Sequence, residues 1–111
     1  VLKQVNKKIH VANTYLKTRK LGEFHATLLD VLFFYISDRF LVSKSTLNIN
    51  SIKNSLESHG VDEMSISEYL SLIKTLELYR YAPSNNEDLG NHKDLLNRVS
   101  HIIRKIDKMI K

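Results

Sequence analysis

This sequence has no cysteine and little glycine or proline, and each shortage excludes a class of structure. Without cysteine the chain can form no disulfide, present no reactive thiolate and build no Cys-based metal site. Three glycines and one proline among 111 residues leave few sharp turns, which favours helices joined by short links. Residues 28–36, the longest near-continuous apolar stretch, are about half the ~20 residues that a membrane span needs. No span and no signal peptide are therefore expected within the sequence. Because it begins at Val1 and not at methionine, we expect a fragment of a longer protein, with any membrane anchor outside this fragment.

Acidic residues are missing from the first 22 positions, and Glu23 is the first of them. The same segment carries six positive charges, at Lys3, Lys7, Lys8, Lys17, Arg19 and Lys20. Residues 23–97 have six bases against eleven acids, and residues 98–111 have five bases against one acid, so two basic ends flank an acidic middle. Segregated charge of this kind bears on partners and placement, not on the fold.

Two kinds of partner fit the basic opening segment. An anionic membrane surface attracts juxtamembrane lysines by ~1 kcal/mol each, and six bases would also bind nucleic acid in a salt-dependent way. The aromatic residues lie in the apolar stripes instead of alternating with the lysines, as a base-stacking platform would require. We therefore expect a membrane-proximal basic face, with nucleic-acid binding as the alternative.

Apolar residues recur at helical spacing almost throughout and predict an all-α bundle of about five helices in one domain. Residues 1–42 are predicted to hold a basic helix and a central helix that is apolar on nearly every side. Residues 43–83 are predicted to hold a short helix and a capped helix that stops near Pro83, and residues 84–111 a long amphipathic helix. The first two helices should form an antiparallel, TPR-like hairpin through a link at residues 20–22, with Gly22 as the break.

Several polar residues are predicted to begin or end these helices. Asn48 or Asn50 suits the N-terminus of the third helix, and Gly60 suits its C-terminus in the left-handed conformation. Asp62 suits the start of the fourth helix, and Ser65-x-x-Glu68 matches a capping box one turn later.

No motif in the chain points to catalysis, a cofactor or a metal ion. The sequence contains no nucleophile elbow, no phosphate-binding glycine loop and no His pair at helical i, i+3 or i, i+4 spacing. We therefore expect a non-enzymatic protein whose histidines are exposed or half-buried. The five histidines are His10, His25, His59, His92 and His101.

The most unusual local sequence is Glu77-Leu78-Tyr79-Arg80-Tyr81-Ala82-Pro83. One interpretation is a helix end at which Tyr81 packs on the core and Arg80 binds terminal carbonyls or a carboxylate. The other is a lip for a protein partner, since Tyr and Arg are common anchors of interfaces. Arg80, Tyr81 and Pro83 are the candidate partner-binding residues under this second interpretation.

Taken in order along the chain, these segments resemble the C-terminal region of BatD-type proteins of the Bat aerotolerance group. The resemblance is carried by Phe24, by Tyr35-Ile36-Ser37-Asp38-Arg39, by Gly60-Val61 and by residues 77–83. The sequence departs from the family pattern at Phe33 and Phe34, where a Trp and a small residue are expected. It also departs at His25, where a Tyr is usual, and at Tyr79, which replaces an Ala.

The resemblance implies a parent protein with an exported N-terminal part, one membrane span, and this domain at the cytoplasmic face of the bacterial inner membrane. It also implies protein partners, namely MoxR-type AAA+ ATPases and von Willebrand A-domain Bat proteins, and a link to oxygen tolerance and envelope stress. It supplies no catalytic residues. The expectation is thus a non-catalytic protein-interaction module.

Overall fold

A computed structural model describes residues 2–81 and 89–110, with the side chains of residues 80, 81 and 89–91 outside that description. Within these ranges the chain is helical and contains no strand, as the apolar spacing predicts. The helices are α1 (Leu2–Lys17), α2 (Leu21–Phe40), α3 (Ile49–Ser58), α4 (Glu63–Tyr81) and α5 (Leu89–Met109), with a 3-10 turn at Lys44–Thr46. The prediction of an all-α bundle of five helices is confirmed.

Helix α2 lies at the centre of the bundle and contacts α1, α4 and α5. Its buried surface is broad: at 100° per residue Val31 and Ile36 are about 140° apart around the helix, yet both are fully buried. A helix that is apolar on most of its circumference can bury that surface only when neighbours cover it on several sides. The amphipathic α1 and α5 each bury a single stripe against this centre.

The link between α1 and α2 differs from the prediction. It occupies residues 18–20, and Arg19 adopts the left-handed conformation with φ of 60°. The Lys20 N–H donates to the Tyr15 carbonyl at 2.9 Å and the Arg19 N–H to the Leu16 carbonyl at 3.1 Å, which together form a Schellman motif. Gly22 already lies in the first turn of α2, so its assignment as the helix break was wrong. The backbone bonds that close α1 stabilise a left-handed residue even where it is not glycine.

The ends of α3 and the start of α4 follow the predicted caps, with one correction. Asn48 caps α3 in a reciprocal capping box with Ser51, and Gly60 ends it with φ of 86°. Asp62 begins α4 by accepting a hydrogen bond from the Ser65 N–H at 2.8 Å, and the hydrogen bonding of Ser65 lowers the pKa of the Asp62 carboxyl. Ser65 is therefore a buried residue inside the first turn, and the capping box predicted from Ser65 and Glu68 was wrong.

Helices α1 and α5 run antiparallel, and this arrangement positions the site described below. Lys93, near the start of α5, donates to Asn13 near the end of α1, and Arg104, near the end of α5, donates to Asn6 near the start of α1. The seam beneath these polar contacts is apolar: Val5 and Ala12 of α1 are buried, as are Val99 and Ile103 of α5.

Candidate functional site: a basic face on helices one and five

Five of the six bases in the opening segment point into solvent. Their side chains are exposed and, within the part of the chain that the structure describes, form neither an ion pair nor a hydrogen bond. These five residues, which we call the free bases, are Lys3, Lys7, Lys17, Arg19 and Lys20. For Lys3, Lys7 and Lys17 the absence of acids from α1 accounts for this, since none of them has a carboxylate at i+3 or i+4 spacing. Their mutual repulsion is thus uncompensated locally.

Lys8, predicted as part of the same basic face, has a structural role instead. It turns toward α2, where its Nζ lies 3.1 Å from Asp30 Oδ2 and 4.8 Å from the centroid of the Phe34 ring. Asp30 also accepts a hydrogen bond from Lys44 in the 3-10 turn. Partial burial raises the pKa of Asp30, but the hydrogen bonds and charges of Lys44 and Lys8 outweigh it, so the pKa lies below its usual range. Lys8 therefore helps to hold α1, α2 and the 3-10 turn together.

Around Val11 the outward side of α1 combines positive charge with exposed apolar surface. Val11 is 45% exposed and lies in a shallow depression bordered by Lys3, Lys7, Asn6 and His10. A helix face that offers lysines around an exposed aliphatic side chain is suited to an anionic interface, because both kinds of group gain from contact with it. We call this surface the outer α1 face.

A groove of about 330 Å³ runs beside the outer α1 face, between α1 and α5. It is lined by Asn6, Ile9, His10, Asn13, Lys93, Leu96, Asn97, Ser100 and Arg104. Lys93 Nζ donates to Asn13 Oδ1 at 3.1 Å, and Arg104 Nη2 donates to Asn6 Oδ1 at 3.3 Å. None of the described lining residues is an Asp or a Glu. Both cations thus contact neutral amides, and their charge stays available to a ligand.

Sequence reasoning missed this groove. Lys93 belongs to the acidic middle of the chain by composition, and Arg104 belongs to the basic C-terminal block. Only the antiparallel packing of α5 on α1 brings them beside the acid-free helix. The i, i+7 spacing of Asn6 and Asn13, both at the margin of the apolar stripe of α1, was the one available sign of a polar seam next to the core.

Two histidines lie in the core, contrary to the expectation that all five would be exposed or half-buried. His25 of α2 is 5% exposed and His92 of α5 is 3% exposed. The His25 ring stacks on Tyr79 of α4, with centroids 4.5 Å apart and planes 7° apart, and its centroid lies 5.0 Å from that of His92. Phe24 adds an edge contact to His25 at 5.5 Å. We call these four side chains the ring cluster; it joins α2, α4 and α5.

The ring cluster changes the acid–base chemistry of His25. Burial, and secondly the charge of His92, lower the pKa of His25 from 6.5 to about 4. Among the described residues its Nε2 atom has no hydrogen-bond partner. His92 lies three and four positions before the buried Leu95 and Leu96, and this spacing was the signal that could have placed it in the core.

The Tyr35–Arg39 segment, one of the motifs that carry the family resemblance, holds the end of α5. Tyr35 Oη donates to Asp107 Oδ1 at 2.7 Å, and Arg39 Nε donates to the same oxygen at 3.3 Å. Burial, together with the hydrogen bond to Asp107, raises the pKa of the Tyr35 hydroxyl. Spacing i, i+4 places both donors on one side of α2, so in this fold the motif has a packing role.

The candidate partner-binding residues at the end of α4 stay a prediction. Arg80 and Tyr81 belong to α4, but their side chains, like Pro83, lie outside the described residues. Their neighbour Tyr79 is half-buried in the ring cluster, whereas Leu78 is 69% exposed.

Neither a metal-binding group nor a membrane-crossing helix is found among the residues that the structure describes. No three His, Asp or Glu side chains in these ranges are grouped so that they could hold a metal ion, and no helix there is both long and apolar enough to span a bilayer. In comparisons with known proteins, no family model, no curated protein and no solved structure matches this chain.

Proposed function

We propose that this domain is a non-catalytic protein-interaction module of a BatD-type membrane protein, held at the cytoplasmic face of the bacterial inner membrane. The proposal rests on the ordered sequence motifs that resemble this family. On this proposal the partners are MoxR-type AAA+ ATPases and von Willebrand A-domain Bat proteins, and the outer α1 face is turned toward anionic lipid.

The observation that carries the placement is the set of free bases. Lys3, Lys7 and Lys17 contribute no ion pair to the described fold, although Lys8, in the same helix, does. Surface cations without a protein partner are hydrated but repel one another, so an external anion stabilises them further. An anionic leaflet supplies that gain, at ~1 kcal/mol for each lysine within a Debye length of it. The exposed Val11 adds a small apolar contact.

Vesicle sedimentation tests this placement. The double variant Lys3→Glu/Lys7→Glu should bind vesicles that contain phosphatidylserine at least about 30-fold more weakly than wild type, because two attractions of ~1 kcal/mol each are lost. The matched control is Lys74→Glu/Lys105→Glu, which changes net charge equally at exposed positions on α4 and α5. Neutral phosphatidylcholine vesicles should retain none of the three proteins. Equal retention of the two double variants on anionic vesicles would refute the placement of α1 at the membrane.

Nucleic-acid binding is the alternative use of the same charges, because α5 adds Lys93 and Arg104 beside the basic α1. Two results together would favour this alternative: retention on duplex DNA falls steeply with salt, and it exceeds retention on anionic vesicles at the same ionic strength. Weak, salt-sensitive retention that is lower than on vesicles would reflect only general charge.

A further inference from the structure

The groove between α1 and α5 has a different chemistry from the outer α1 face. It lies between two helices, whereas the outer α1 face is a shallow, open surface formed by α1 alone. Its floor contains the half-buried Ile9 and the buried Leu96, and its walls carry side-chain amides and the Ser100 hydroxyl. A planar bilayer can lie against the open side of one helix but cannot enter a groove between two helices, so this groove is better suited to an extended chain.

The cations of the groove have unused hydrogen-bonding capacity. A guanidinium has five N–H donors and an ammonium has three, and a single hydrogen bond is formed by each of Arg104 and Lys93 within the described structure. Both accepting atoms are neutral amide oxygens, which bind a cation more weakly than a carboxylate does. An incoming carboxylate could therefore replace or supplement the Asn6 and Asn13 contacts at each end.

The spacing of the two cations selects the length of the ligand. Lys93 and Arg104 are eleven positions apart on α5, about 16 Å along that helix, and the Asn13 and Asn6 side chains that they contact are seven positions apart on α1, about 10 Å. An extended peptide covers about 10 to 16 Å in three to five residues at ~3.3 Å each. Amide side chains along the walls can donate to and accept from a peptide backbone, and the apolar floor can receive an aliphatic side chain.

From these contacts we propose that the α1–α5 groove binds an acidic, extended segment of a partner protein. Carboxylates of the segment contact Lys93 and Arg104, and an aliphatic side chain between them packs on Ile9 and Leu96. This inference rests on the proposed function, since it names the partner chemistry of the interaction module. Nucleic acid fits the groove less well, because the described lining residues include no Phe, Tyr or Trp, and a single imidazole, that of His10, provides no extended platform for stacking bases.

The test measures binding of a short fluorescent peptide of repeated Glu-Leu-Ser by anisotropy at physiological ionic strength. Wild-type protein should bind this peptide and should not bind the counterpart in which every Glu is replaced by Gln. The variant Lys93→Gln/Arg104→Gln should weaken binding by about tenfold or more, because two charge-assisted contacts are lost. The control Lys74→Gln/Lys105→Gln removes equal charge elsewhere and should bind within about twofold of wild type.

A second variant keeps the proposal testable if the loss of the Asn6 and Asn13 contacts disturbs the fold. Asn97→Asp adds a carboxylate to an exposed position of the groove lining, breaks no hydrogen bond of the described structure, and should also weaken the acidic peptide. Binding as tight as wild type by either folded variant would overturn the proposal. So would failure of the acidic peptide to bind wild-type protein, or tighter binding of a labelled oligothymidylate than of the peptide.

Vesicle sedimentation on the same preparations separates this proposal from the membrane placement. If the peptide fails while Lys3→Glu/Lys7→Glu still lowers vesicle retention, only the groove proposal is lost. If the peptide binds but vesicle retention does not depend on Lys3 and Lys7, only the membrane placement is lost. If Lys93→Gln/Arg104→Gln loses as much vesicle retention as Lys3→Glu/Lys7→Glu does, the groove is part of a lipid-binding surface, and its assignment to a peptide is overturned.

Discussion

Acidification is expected to destabilise the domain through His25. Its imidazole is buried in the ring cluster, stacked on Tyr79 and 5.0 Å from His92 by ring centroids. Burial, and secondly the charge of His92, lower its pKa from 6.5 to about 4, so the folded protein resists a proton that the unfolded chain accepts. The packing of this cluster therefore contributes to the pH dependence of stability.

The direction and size of the effect follow from linkage. Above pH 6.5 His25 is neutral in both folded and unfolded chains, and its packing contributes fully to stability. Between pH 6.5 and about 4 the unfolded chain binds the proton and the folded chain does not, so stability decreases as the pH falls. Below about pH 4 the loss of stability is complete. It amounts to about 3 kcal/mol, because each unit of the difference between 6.5 and about 4 corresponds to ~1.4 kcal/mol. That is a large share of the ~5–15 kcal/mol typical of a folded domain.

The assay is urea unfolding of wild type and His25→Phe at several pH values between 7 and 4. Phenylalanine keeps a ring against Tyr79 but cannot be protonated. Carboxylates such as Asp30 also lose stabilising interactions in acid, but they do so in both proteins, so the difference between the two isolates His25. His101→Gln, at an exposed histidine of α5, is the matched control and should follow wild type. If wild type and His25→Phe lose stability in parallel from pH 6.5 to 4, the reasoning is wrong.

Two further predictions concern packing and backbone conformation, each measured by urea unfolding at pH 7. Tyr35→Phe should lower the free energy of unfolding by about 1–3 kcal/mol, because Asp107 loses its 2.7 Å hydrogen-bond donor. The control Tyr15→Phe should change the free energy little, since the Tyr15 hydroxyl has no hydrogen bond in the described structure. Equal effects of the two variants would contradict a stabilising role for the Tyr35–Asp107 hydrogen bond. Gly60→Ala should lower the free energy of unfolding by about 1 kcal/mol, because φ at this residue is 86°. Gly22→Ala should raise the free energy of unfolding by about 0.5–1 kcal/mol, because Gly22 lies in a helical turn with free space around an added Cβ. If Gly60→Ala stabilised the domain, the left-handed cap would be refuted.

Helix ends could be predicted where one side chain decides the local geometry. Asn48 and Asp62 accept hydrogen bonds from the first turns of α3 and α4, and Gly60 supplies the left-handed residue that ends α3. The α1–α2 link was assigned to Gly22 because glycine adopts the left-handed conformation at least cost. The structure uses Arg19, since the paired backbone bonds of the Schellman motif offset the cost of a side chain there.

The candidate site could be predicted only in part, because a basic residue has the same appearance in sequence whether it faces solvent or a neighbouring helix. Lys8 and Lys7 are adjacent in an acid-free helix, yet Lys8 binds Asp30 and Lys7 has no partner in the described structure. The difference arises from the 100° turn between successive residues, which directs Lys8 toward α2 and Lys7 away from it.

By itself the sequence determined that the chain forms helices, that α1 and α5 each have one apolar stripe whereas α2 is apolar on most sides, and that α1 carries positive charge with no acid. Those properties depend on residue spacing and composition within one segment. Only the tertiary structure decided that α5 packs antiparallel on α1, which brings Lys93 and Arg104 beside Asn13 and Asn6. It alone also decided that Tyr79 and His92 enclose His25. The physical reason is that apolar periodicity specifies a surface to be buried but not the helix that buries it, so contacts between distant segments are selected by the packing of the whole core.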